Sequence, residues 1–234
     1  MKSKTAVILA GGKGKRLKPY TLVMPKPLMP IHEYPIVELI IKKLSKAGFK
    51  KIIMAVNYRG DLIKAFFQNG KKWNVKIDYS FEKQQLGTAG PLRLLKNKLP
   101  NNFLVINGDI LSDINLNKLY KSHLKSKKLF TVSIAKRKNL IDYGVIKLNK
   151  QKKIIKFVEK PKEDFFVSMG IYFLNKKILK FIPANRKFGF NELINYFLKK
   201  KLDINTYYHT NYWLDIGRPD DYEKALIDFK KKNK

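Results

Sequence analysis

Cysteine is absent from this chain of 234 residues, and that absence excludes two kinds of protein. A chain without thiols contains neither a disulfide framework nor a thiolate metal site. The sequence also lacks any apolar run long enough to span a bilayer, and residues 1–5 lack the pattern of a secretory signal peptide. We therefore expect a cytoplasmic protein that has no membrane partner.

Acidic residues are scarce. The chain has 18 aspartates and glutamates and 50 lysines and arginines, which gives a formal charge of +32. One interpretation is that the protein binds nucleic acid through its phosphate backbone. The other is that lysine serves as a solubilising residue. Lysines are spread over the polar positions and form no basic stripe interleaved with aromatic residues, so we expect no nucleic-acid partner. The positive field would attract small anions such as a nucleoside triphosphate.

The hydrophobic pattern of the first half alternates short apolar runs with amphipathic segments. Strands are predicted at residues 6–9, 51–56, 76–81 and 102–106, and helices at 36–47, 60–69 and 89–95. Strands separated by helices indicate right-handed crossovers and a mainly parallel sheet. The second half has predicted strands at 130–135, 145–148, 154–158, 167–174 and 204–208, and helices at 176–182, 191–199 and 219–229. The length suits a single domain over residues 1–234.

Residues 9–31 are the most informative stretch of the chain. They follow the first predicted strand and contain three glycines, four prolines and five basic residues. Glycine lets backbone N–H groups approach a ligand closely, and such a loop after a strand makes a nest for phosphate oxygens. Arg16 and Lys26 add positive charge, and Pro25 and Pro27 restrict the backbone on both sides of Lys26. This stretch is therefore predicted to bind phosphate groups.

Two widespread phosphate-binding motifs do not fit this stretch. G-x-x-x-x-G-K-[ST] fails for want of a serine or threonine at the required spacing, and G-x-G-x-x-G fails because no glycine follows Gly14 at the right distance. The ordered string G-G-x-G-x-R-L-x-P-x-T, followed by P-K-P-L-x-P-I, instead resembles the signature of the sugar-1-phosphate nucleotidylyltransferases. A solvated loop rich in glycine and lysine is the alternative. The resemblance implies a Rossmann-like α/β fold and makes the following residues nucleotide contacts: Leu9, Ala10, Gly11, Gly12 and Gly14.

Two aspartates that end short apolar segments are candidates for a metal site. Asp109 ends the sequence Asn-Gly-Asp after a predicted strand, and Asp215 lies in the segment YWLDIG. Ligands of open α/β sheets bind outside the carboxyl ends of strands, which is where Gly108 and Asp109 are expected. One such aspartate would commonly be a turn or a helix cap, but the pair beside a phosphate loop indicates Mg²⁺. The family resemblance gives Asp109 and Asp215 the same role, and Asp113 is a weaker candidate because the D-x-D spacing is missing.

A second group of motifs resembles the sugar-phosphate site of the family. The resemblance implies that Lys160 holds the phosphate and that Glu159 accepts hydrogen bonds from sugar hydroxyls. A surface ion pair before a proline turn is the alternative reading of these two residues. Gly144 and Gly170 lie in segments that resemble the walls of the sugar pocket, where glycine lets the backbone approach the ring.

The stretch EKQQLGTAG, which begins at Glu82, is the candidate for reading the base. Guanine presents two adjacent donors, N1–H and the 2-amino group, and an ionised carboxylate accepts from both. Uracil and thymine offer one donor between two acceptors, which suits a glutamine such as Gln84 or Gln85 better. The part that contains Gly87 and Thr88 resembles mannose-1-phosphate guanylyltransferases. GTP is therefore favoured, UTP or dTTP is the alternative, and a solvated Glu82 without a role stays open.

The resemblance implies nucleotidyl transfer, in which an NTP and a sugar 1-phosphate, of a hexose, mannose-like or heptose type, give an NDP-sugar and pyrophosphate. A phosphate monoester is largely dianionic near neutral pH, so no general base is required, in keeping with motifs that lack histidine. Lys26 and Mg²⁺ would stabilise the α-phosphate, and Arg16 would hold the departing pyrophosphate. About residues 1–130 would bind the nucleotide, and about 131–234, with a smaller antiparallel β portion, would bind the sugar phosphate.

The sequence leaves two other functions open. A basic nucleic-acid-binding module would show strongly salt-dependent binding to polynucleotide and no turnover. A sensor of nucleotide sugars would keep the fold without the activity, although it would not need every one of the candidate catalytic and phosphate-binding side chains. The chain resembles the short, catalytic-core form of the family, and a homo-oligomer is compatible with it.

Overall fold

The computed structural model describes residues 4–232, which form a central seven-stranded sheet with helices on both faces. The β-strands are β1 (Lys4–Leu9), β2 (Pro30–Ile31), β3 (Tyr34–Pro35), β4 (Phe49–Val56), β5 (Lys76–Phe81), β6 (Asn102–Asn107), β7 (Ile110–Ser112), β8 (Phe130–Leu140), β9 (Val145–Leu148), β10 (Ile154–Val158), β11 (Lys162–Asn175), β12 (Asn205–His209) and β13 (Trp213–Asp215). The α-helices are α1 (Tyr20–Val23), α2 (Ile36–Lys46), α3 (Gly60–Phe67), α4 (Pro91–Leu94), α5 (Leu116–Ser126), α6 (Phe190–Lys199) and α7 (Pro219–Lys232). Short 3₁₀ helices occupy Lys15–Leu17, Lys26–Leu28, Lys71–Trp73 and Lys176–Phe181. The start of the segment inspected for a signal peptide, residues 1–3, lies outside the described residues.

The central sheet is mainly parallel, as the sequence predicts. Its strand order is β12-β8-β11-β6-β1-β4-β5. Strand β11 runs antiparallel to its neighbours β6 and β8, and the other neighbouring pairs are parallel. Three small antiparallel sheets, β2–β3, β7–β13 and β9–β10, complete the described part of the chain. The carboxyl ends of β4, β1 and β6 therefore lie side by side at one edge.

Both faces of the central sheet are buried, which explains why its inner strands read as continuous apolar runs. Along β1, Ala6 and Ile8 join the cluster under α2, α3 and α5, whereas Val7 joins the cluster under α4 and α6. The same alternation recurs on β6, where Leu104 and Val105 face opposite sides. Burial of these side chains fixes the register of the strands, because a slip by one residue would exchange the two faces.

The structure differs from the sequence prediction mainly outside this core. Strands β8 and β11 are longer than predicted, because their charged outer ends pair with each other beyond the buried region, for example Asp164 opposite Lys138. Helix α5 was not predicted from the sequence, since its buried face is narrow and contains a histidine, His123, between lysines. Asn115 starts that helix by accepting hydrogen bonds from the N–H groups of Asn117 and Lys118, at 3.1 and 2.9 Å.

A third apolar cluster joins the N-terminal and C-terminal parts of the chain. It contains Leu17 and Met29 from the glycine-rich stretch, Leu214 and Ile216 from the YWLDIG segment, and Ala225 from α7. Burial of these side chains holds the C-terminal segment beside the N-terminal loop.

Every helix within residues 4–232 is too short or too polar to span a membrane. The cytoplasmic location and the homo-oligomer remain predictions.

Candidate active site

A cavity of about 410 Å³ opens at the edge where the carboxyl ends of β4, β1 and β6 meet. Its walls include every residue that the sequence analysis assigns to the nucleotide, namely Leu9, Ala10, Gly11, Gly12, Gly14, Glu82, Gly87, Thr88 and Gly108. Lys26 and Asp109 line the same cavity. Its volume lies in the usual range for a small-molecule site, and its position is the one expected for ligands of open α/β sheets.

The glycine loop keeps its backbone close to the cavity. Gly14 has a φ of +59°, in the left-handed region, and a Cβ atom built there would lie 2.8 Å from the side chain of Thr21. The Thr21 hydroxyl donates a hydrogen bond to the Gly14 carbonyl over 2.9 Å and so fixes the turn. A Cβ built on Gly12 would meet no atom within 4 Å, so the backbone of Gly12 faces open space. The positive φ at position 14 requires glycine. At position 12, glycine leaves the backbone N–H accessible because no side chain covers it.

Lys26 and Asp109 form an ion pair inside this cavity, although 83 residues separate them in the chain. The distance from Lys26 Nζ to Asp109 Oδ2 is 2.5 Å, and the side chains are 11% and 27% exposed. Lys26 is the first residue of a 3₁₀ helix and is flanked by Pro25 and Pro27. The sequence predicts a stiff backbone at this position. The other carboxylate oxygen, Asp109 Oδ1, is buried and lacks a hydrogen-bond partner among the described residues. One oxygen of Asp109 is thus available to a ligand.

Asp215 reaches the same region through the pairing of β13 with β7. In that pairing Asp215 lies opposite Ile110, the residue after Asp109. The Ile216 N–H donates to the Asp109 carbonyl over 3.0 Å and ties the two segments together. The two aspartates, which the sequence predicts as one site, are therefore brought together by a two-stranded sheet outside the central one.

The groups around Asp215 shift its pKa in opposite directions. Burial raises the pKa of Asp215, the negative charge of Asp109 raises it further, and the cations Lys26 and Arg16 lower it. Arg16 approaches from the side of Gly217, since a Cβ atom built on that glycine would lie 3.1 Å from Arg16 Nη2. Arg16 thus contacts the YWLDIG segment and is not among the described residues that line the cavity.

We expect Asp215→Asn to raise the melting temperature at neutral pH when the metal is removed with EDTA. The pKa of Asp215 is raised in the folded protein, so the folded state binds its proton more tightly than the unfolded chain. Stability from this group is present below the ordinary aspartate pKa of about 3.9 and is lost as the pH rises through the raised value. Calorimetry should show a gain for the amide at pH 7 that disappears near pH 3. A lower melting temperature at pH 7 would contradict the direction of the shift, and Asp113→Asn is the matched control.

The oxygen atoms of this region fit a hard divalent cation. Asp109 Oδ1 and Asn107 Oδ1 are both buried without a hydrogen-bond partner among the described residues. Within residues 4–232, histidine, aspartate and glutamate gather nowhere in a group of three or more suited to a metal, so Asp109 and Asp215 are a pair. Mg²⁺ commonly takes one or two carboxylates and completes its shell with water and phosphate oxygens. The donor set is compatible with that ion.

Glu82 lies at the end of β5 with its two carboxylate oxygens in different surroundings. Oε2 accepts a hydrogen bond from the Leu86 N–H over 3.0 Å. Oε1 lies beside Gly11, because a Cβ atom built on that glycine would be 3.1 Å from it. Burial raises the pKa of Glu82, and the Leu86 N–H opposes the shift. The carboxylate is held against the glycine loop and lines the cavity.

The residues assigned to the sugar phosphate fall into two groups. Glu159 and Lys160 lie at the base of the β9–β10 hairpin, where Lys160 pairs with Asp142 over 2.9 Å and both side chains are more than half exposed. A Cβ atom on Gly144 would lie 2.6 Å from the ring of Phe157 and 3.2 Å from Glu159 Oε2, so Gly144 belongs to this group. None of the three predicted residues is among those described as lining the cavity.

Gly170 lies in the other group, beside the cavity. Its φ is +70°, and a Cβ atom there would be 2.6 Å from Asn107 Nδ2. The neighbouring residue Ile171 pairs with Ile106 of β6, which brings Gly170 beside Asn107. Gly170 thus makes room for the side chain of Asn107.

The structure adds residues that the sequence analysis did not assign. Asn107 and Lys187 line the cavity, and Gly217 makes room for Arg16. Gln85, which the sequence suggested as the alternative contact for a pyrimidine base, also lines the cavity. Asn107 and Gly217 flank predicted aspartates in their motifs, so their positions could have been proposed. Lys187 carries no sequence signal, since it is one of many exposed lysines.

The sequence is similar to known proteins over most of its length. A profile of the nucleotidyl transferase family matches residues 5–232. The D-glycero-alpha-D-manno-heptose 1-phosphate guanylyltransferase of Campylobacter jejuni is 36% identical over 224 residues, which cover 95% of this chain and 99% of that protein. The mannose-1-phosphate guanyltransferase of Aspergillus oryzae is 34% identical over 93% of this chain. This chain covers 62% of the fungal protein.

Solved structures agree with the fold. HddC from Yersinia pseudotuberculosis superposes with a TM-score of 0.76 and 29% identity, covering 97% of this chain and 99% of that chain. The same protein complexed with GMP-PN also gives 0.76, at 28% identity. A putative glucose-1-phosphate thymidylyltransferase from Bacillus anthracis, at 24% identity and a TM-score of 0.76 over 96% of this chain and 94% of that chain, shares the fold. Since the family profile spans nearly the whole chain and the relatives match it along their length, the resemblance read from the glycine-rich stretch is confirmed, and the chain belongs to the nucleotidyl transferase family.

Proposed function

We propose that this protein transfers a guanylyl group from GTP to a sugar 1-phosphate of the mannose or manno-heptose type, giving a GDP-sugar and pyrophosphate. The observation that carries the proposal is one cavity that combines a bare glycine loop, the Lys26–Asp109 ion pair and the carboxylate of Glu82. Two relatives that this chain covers almost completely carry the name of heptose 1-phosphate guanylyltransferase. An NTP and a sugar 1-phosphate are the partners that this proposal implies, and it requires no nucleic acid.

The reaction is a displacement at the α-phosphorus. An oxygen of the sugar phosphate forms a bond to that phosphorus, the bond from it to the bridging oxygen of the β-phosphate breaks, and pyrophosphate leaves. The sugar phosphate is dianionic near neutral pH, so it attacks without transfer of a proton. Alignment and neutralisation of charge therefore supply the rate enhancement.

Lys26 is assigned to the α-phosphate. Two prolines restrict its backbone and Asp109 holds its ammonium, so little reorganisation is needed when negative charge develops. The N–H groups of the glycine loop are assigned to the triphosphate. Arg16, which lies against Gly217 near Asp215, is assigned to the departing pyrophosphate.

Asp109 and Asp215 are the residues that would hold Mg²⁺. A bound Mg²⁺ would supply electrostatic stabilisation of the phosphate oxygens. Asp109 would contribute Oδ1, which is buried and has no hydrogen-bond partner among the described residues, and its Oδ2 keeps Lys26 in place. Burial and the charge of Asp109 raise the pKa of Asp215, so its charged form is disfavoured, and a bound cation would offset that cost.

The sugar phosphate is assigned to the β9–β10 region. Lys160 has a φ of +42°, in a region that residues other than glycine uncommonly adopt. Its partner Asp142 is exposed, so a phosphate dianion would compete for the ammonium at small cost. Glu159 would accept hydrogen bonds from sugar hydroxyls. Gly144 and Gly170 would act indirectly, since the space beside them is filled by Phe157 and Asn107.

A screen of pyrophosphate release tests the proposal. The four NTPs should be offered with a panel of sugar 1-phosphates and Mg²⁺, and GTP with a manno-configured substrate should give the highest kcat/KM. Because Gln85 lines the cavity beside Glu82, transfer from UTP or dTTP is the second candidate. Higher turnover with UTP or dTTP would replace the guanine assignment and leave nucleotidyl transfer standing.

The base preference has a sharper test in ITP, which lacks the 2-amino group. If Glu82 accepts from N1–H and the 2-amino group, GTP should exceed ITP in kcat/KM by about tenfold or more, since a missing partner costs ~1–3 kcal/mol. Glu82→Gln should shrink that ratio, and Lys83→Gln is the neighbouring control. Equal use of GTP and ITP by the wild type would show that Glu82 does not read the 2-amino group.

A further inference from the structure

A loop from the second half of the chain, residues 185–190, is seated against the base-reading stretch. The Phe188 N–H donates to the Leu86 carbonyl over 2.9 Å, and the Phe188 carbonyl accepts from the N–H groups of Ala89 and Gly90, at 3.0 and 2.9 Å. Gly87 makes the approach possible, because its φ is +81° and a Cβ atom there would lie 2.7 Å from the Phe188 carbonyl oxygen. We name this segment the clamp loop.

Hydrogen bonds on both sides of Phe188 fix the clamp loop further. Gln84 Nε2 donates to the Asn185 carbonyl over 3.1 Å, and the Phe190 N–H donates to the Thr88 hydroxyl over 3.0 Å. The loop continues directly into α6, whose first turn is held by a bond from the Gly189 N–H to the Glu192 carboxylate over 2.6 Å. The backbone between residues 185 and 190 is thus positioned by the stretch that carries Glu82.

Lys187 lies in the clamp loop and lines the nucleotide cavity together with Glu82, Gln85 and Gly87. Its side chain is exposed and makes no ion pair or hydrogen bond with another residue of the described range 4–232. Its neighbour Arg186 does not line the cavity. Lys187 therefore lies on the same wall of the cavity as Glu82, and its ammonium has no partner among residues 4–232, so its donors are free for a ligand.

On the proposed function of guanylyl transfer, we infer that Lys187 donates a hydrogen bond to O6 of guanine and completes the recognition of that base. The Watson–Crick edge of guanine presents an acceptor, O6, followed by two donors, N1–H and the 2-amino group. Lys187 offers donors only, and the ionised Glu82 offers acceptors only. The two side chains together match the whole edge, whereas Glu82 alone leaves O6 unread.

This arrangement would also exclude the other bases. Adenine and cytosine present an amino donor where guanine presents O6, and an ammonium cannot accept from it. Uracil and thymine present a carbonyl to Lys187 but lack the second donor for Glu82. Specificity then comes from an unsatisfied group in each wrong complex as well as from contacts in the right one.

The test compares GTP with 6-thio-GTP, in which a weakly accepting sulfur replaces O6 while both donors remain. Wild-type enzyme with Mg²⁺ and its sugar 1-phosphate should favour GTP by about tenfold in kcat/KM, as expected for a charged donor that loses its acceptor. Lys187→Met should bring that ratio close to one and leave the GTP to ITP ratio unchanged. Arg186→Met, with the same change of charge in the same loop, should leave both ratios unchanged.

Several outcomes would overturn the inference. Equal loss of GTP and 6-thio-GTP turnover in Lys187→Met would mean that the lysine acts only through general attraction of the triphosphate. Collapse of the GTP to ITP ratio in that variant would mean that it disturbs Glu82. If the wild type uses GTP well but does not discriminate against 6-thio-GTP, the inference alone fails. If it prefers another NTP, the proposed function fails first. If Lys187→Met folds poorly, Lys187→Gln replaces it in the same comparison, and thermal unfolding shows whether each variant is folded.

Discussion

Asp109→Asn is expected to lower kcat/KM by about a hundredfold to a thousandfold at saturating Mg²⁺. The carboxylate would hold the cation through Oδ1 and Lys26 through Oδ2, and the amide supplies a single uncharged oxygen. Electrostatic stabilisation by a metal in such a site contributes several kcal/mol to the transition state, and each ~1.4 kcal/mol changes the rate tenfold. Pyrophosphate release measured against Mg²⁺ concentration should also show a large rise in the Mg²⁺ needed for half-maximal rate.

Asp113→Asn is the matched control, since Asp113 lies four residues further on and pairs with His209 instead of Lys26. It should retain near-normal activity. In parallel, EDTA should stop the wild type and added Mg²⁺ should restore it. Full activity of Asp109→Asn, or of the wild type in EDTA, would remove the metal from the mechanism.

Lys26→Met is expected to lower kcat by about a hundredfold to a thousandfold with a smaller change in the KM for GTP. The ammonium is nearly buried and held by Asp109, on a backbone segment that two prolines restrict, so its interaction with the α-phosphate should be strongest when charge develops there. Loss of one preorganised donor of this kind costs about 2.7–4 kcal/mol in comparable sites. Single-turnover measurements would separate this effect from substrate binding.

Lys18→Met, an exposed lysine in the same stretch, is the control for general loss of charge. The double variant of Lys26 and Asp109 gives a second check. Because the two side chains form one ion pair, their effects should combine to less than the product of the single effects. Independent effects, or a KM change without a change in kcat, would assign Lys26 to ground-state binding.

The nucleotide cavity shows how far local sequence reasoning reaches. Lys26 was predicted from its position between Pro25 and Pro27. The glycine loop and Asp109 were predicted because they follow β1 and β6, and parallel strands present their carboxyl ends at one edge. Glu82 follows β5 in the same way. Sequence order alone therefore places the phosphate and base elements together once the sheet is recognised as parallel.

Contacts between segments that are distant in the sequence were harder to predict. Lys187 is one exposed lysine among many, and its position follows from hydrogen bonds between the clamp loop and residues 84–90. Arg16 was assigned to the glycine loop, yet its guanidinium lies against Gly217 at the other end of the chain. The sugar-phosphate assignments of Glu159 and Lys160 remain predictions, since these side chains lie on an exposed hairpin away from the cavity walls.

The sequence by itself determined the class of fold, the family and the chemical groups available, because strand and helix periods and the glycine-rich string are local properties of the chain. Only the tertiary structure decided which groups meet. Asp215 joins Asp109 because β13 pairs with β7, and Lys187 lines the same cavity as Glu82 because the clamp loop hydrogen-bonds to residues 84–90. The physical reason is that such pairings are selected by burial of apolar clusters drawn from distant parts of the chain, and their partners cannot be read from the spacing of residues within one segment.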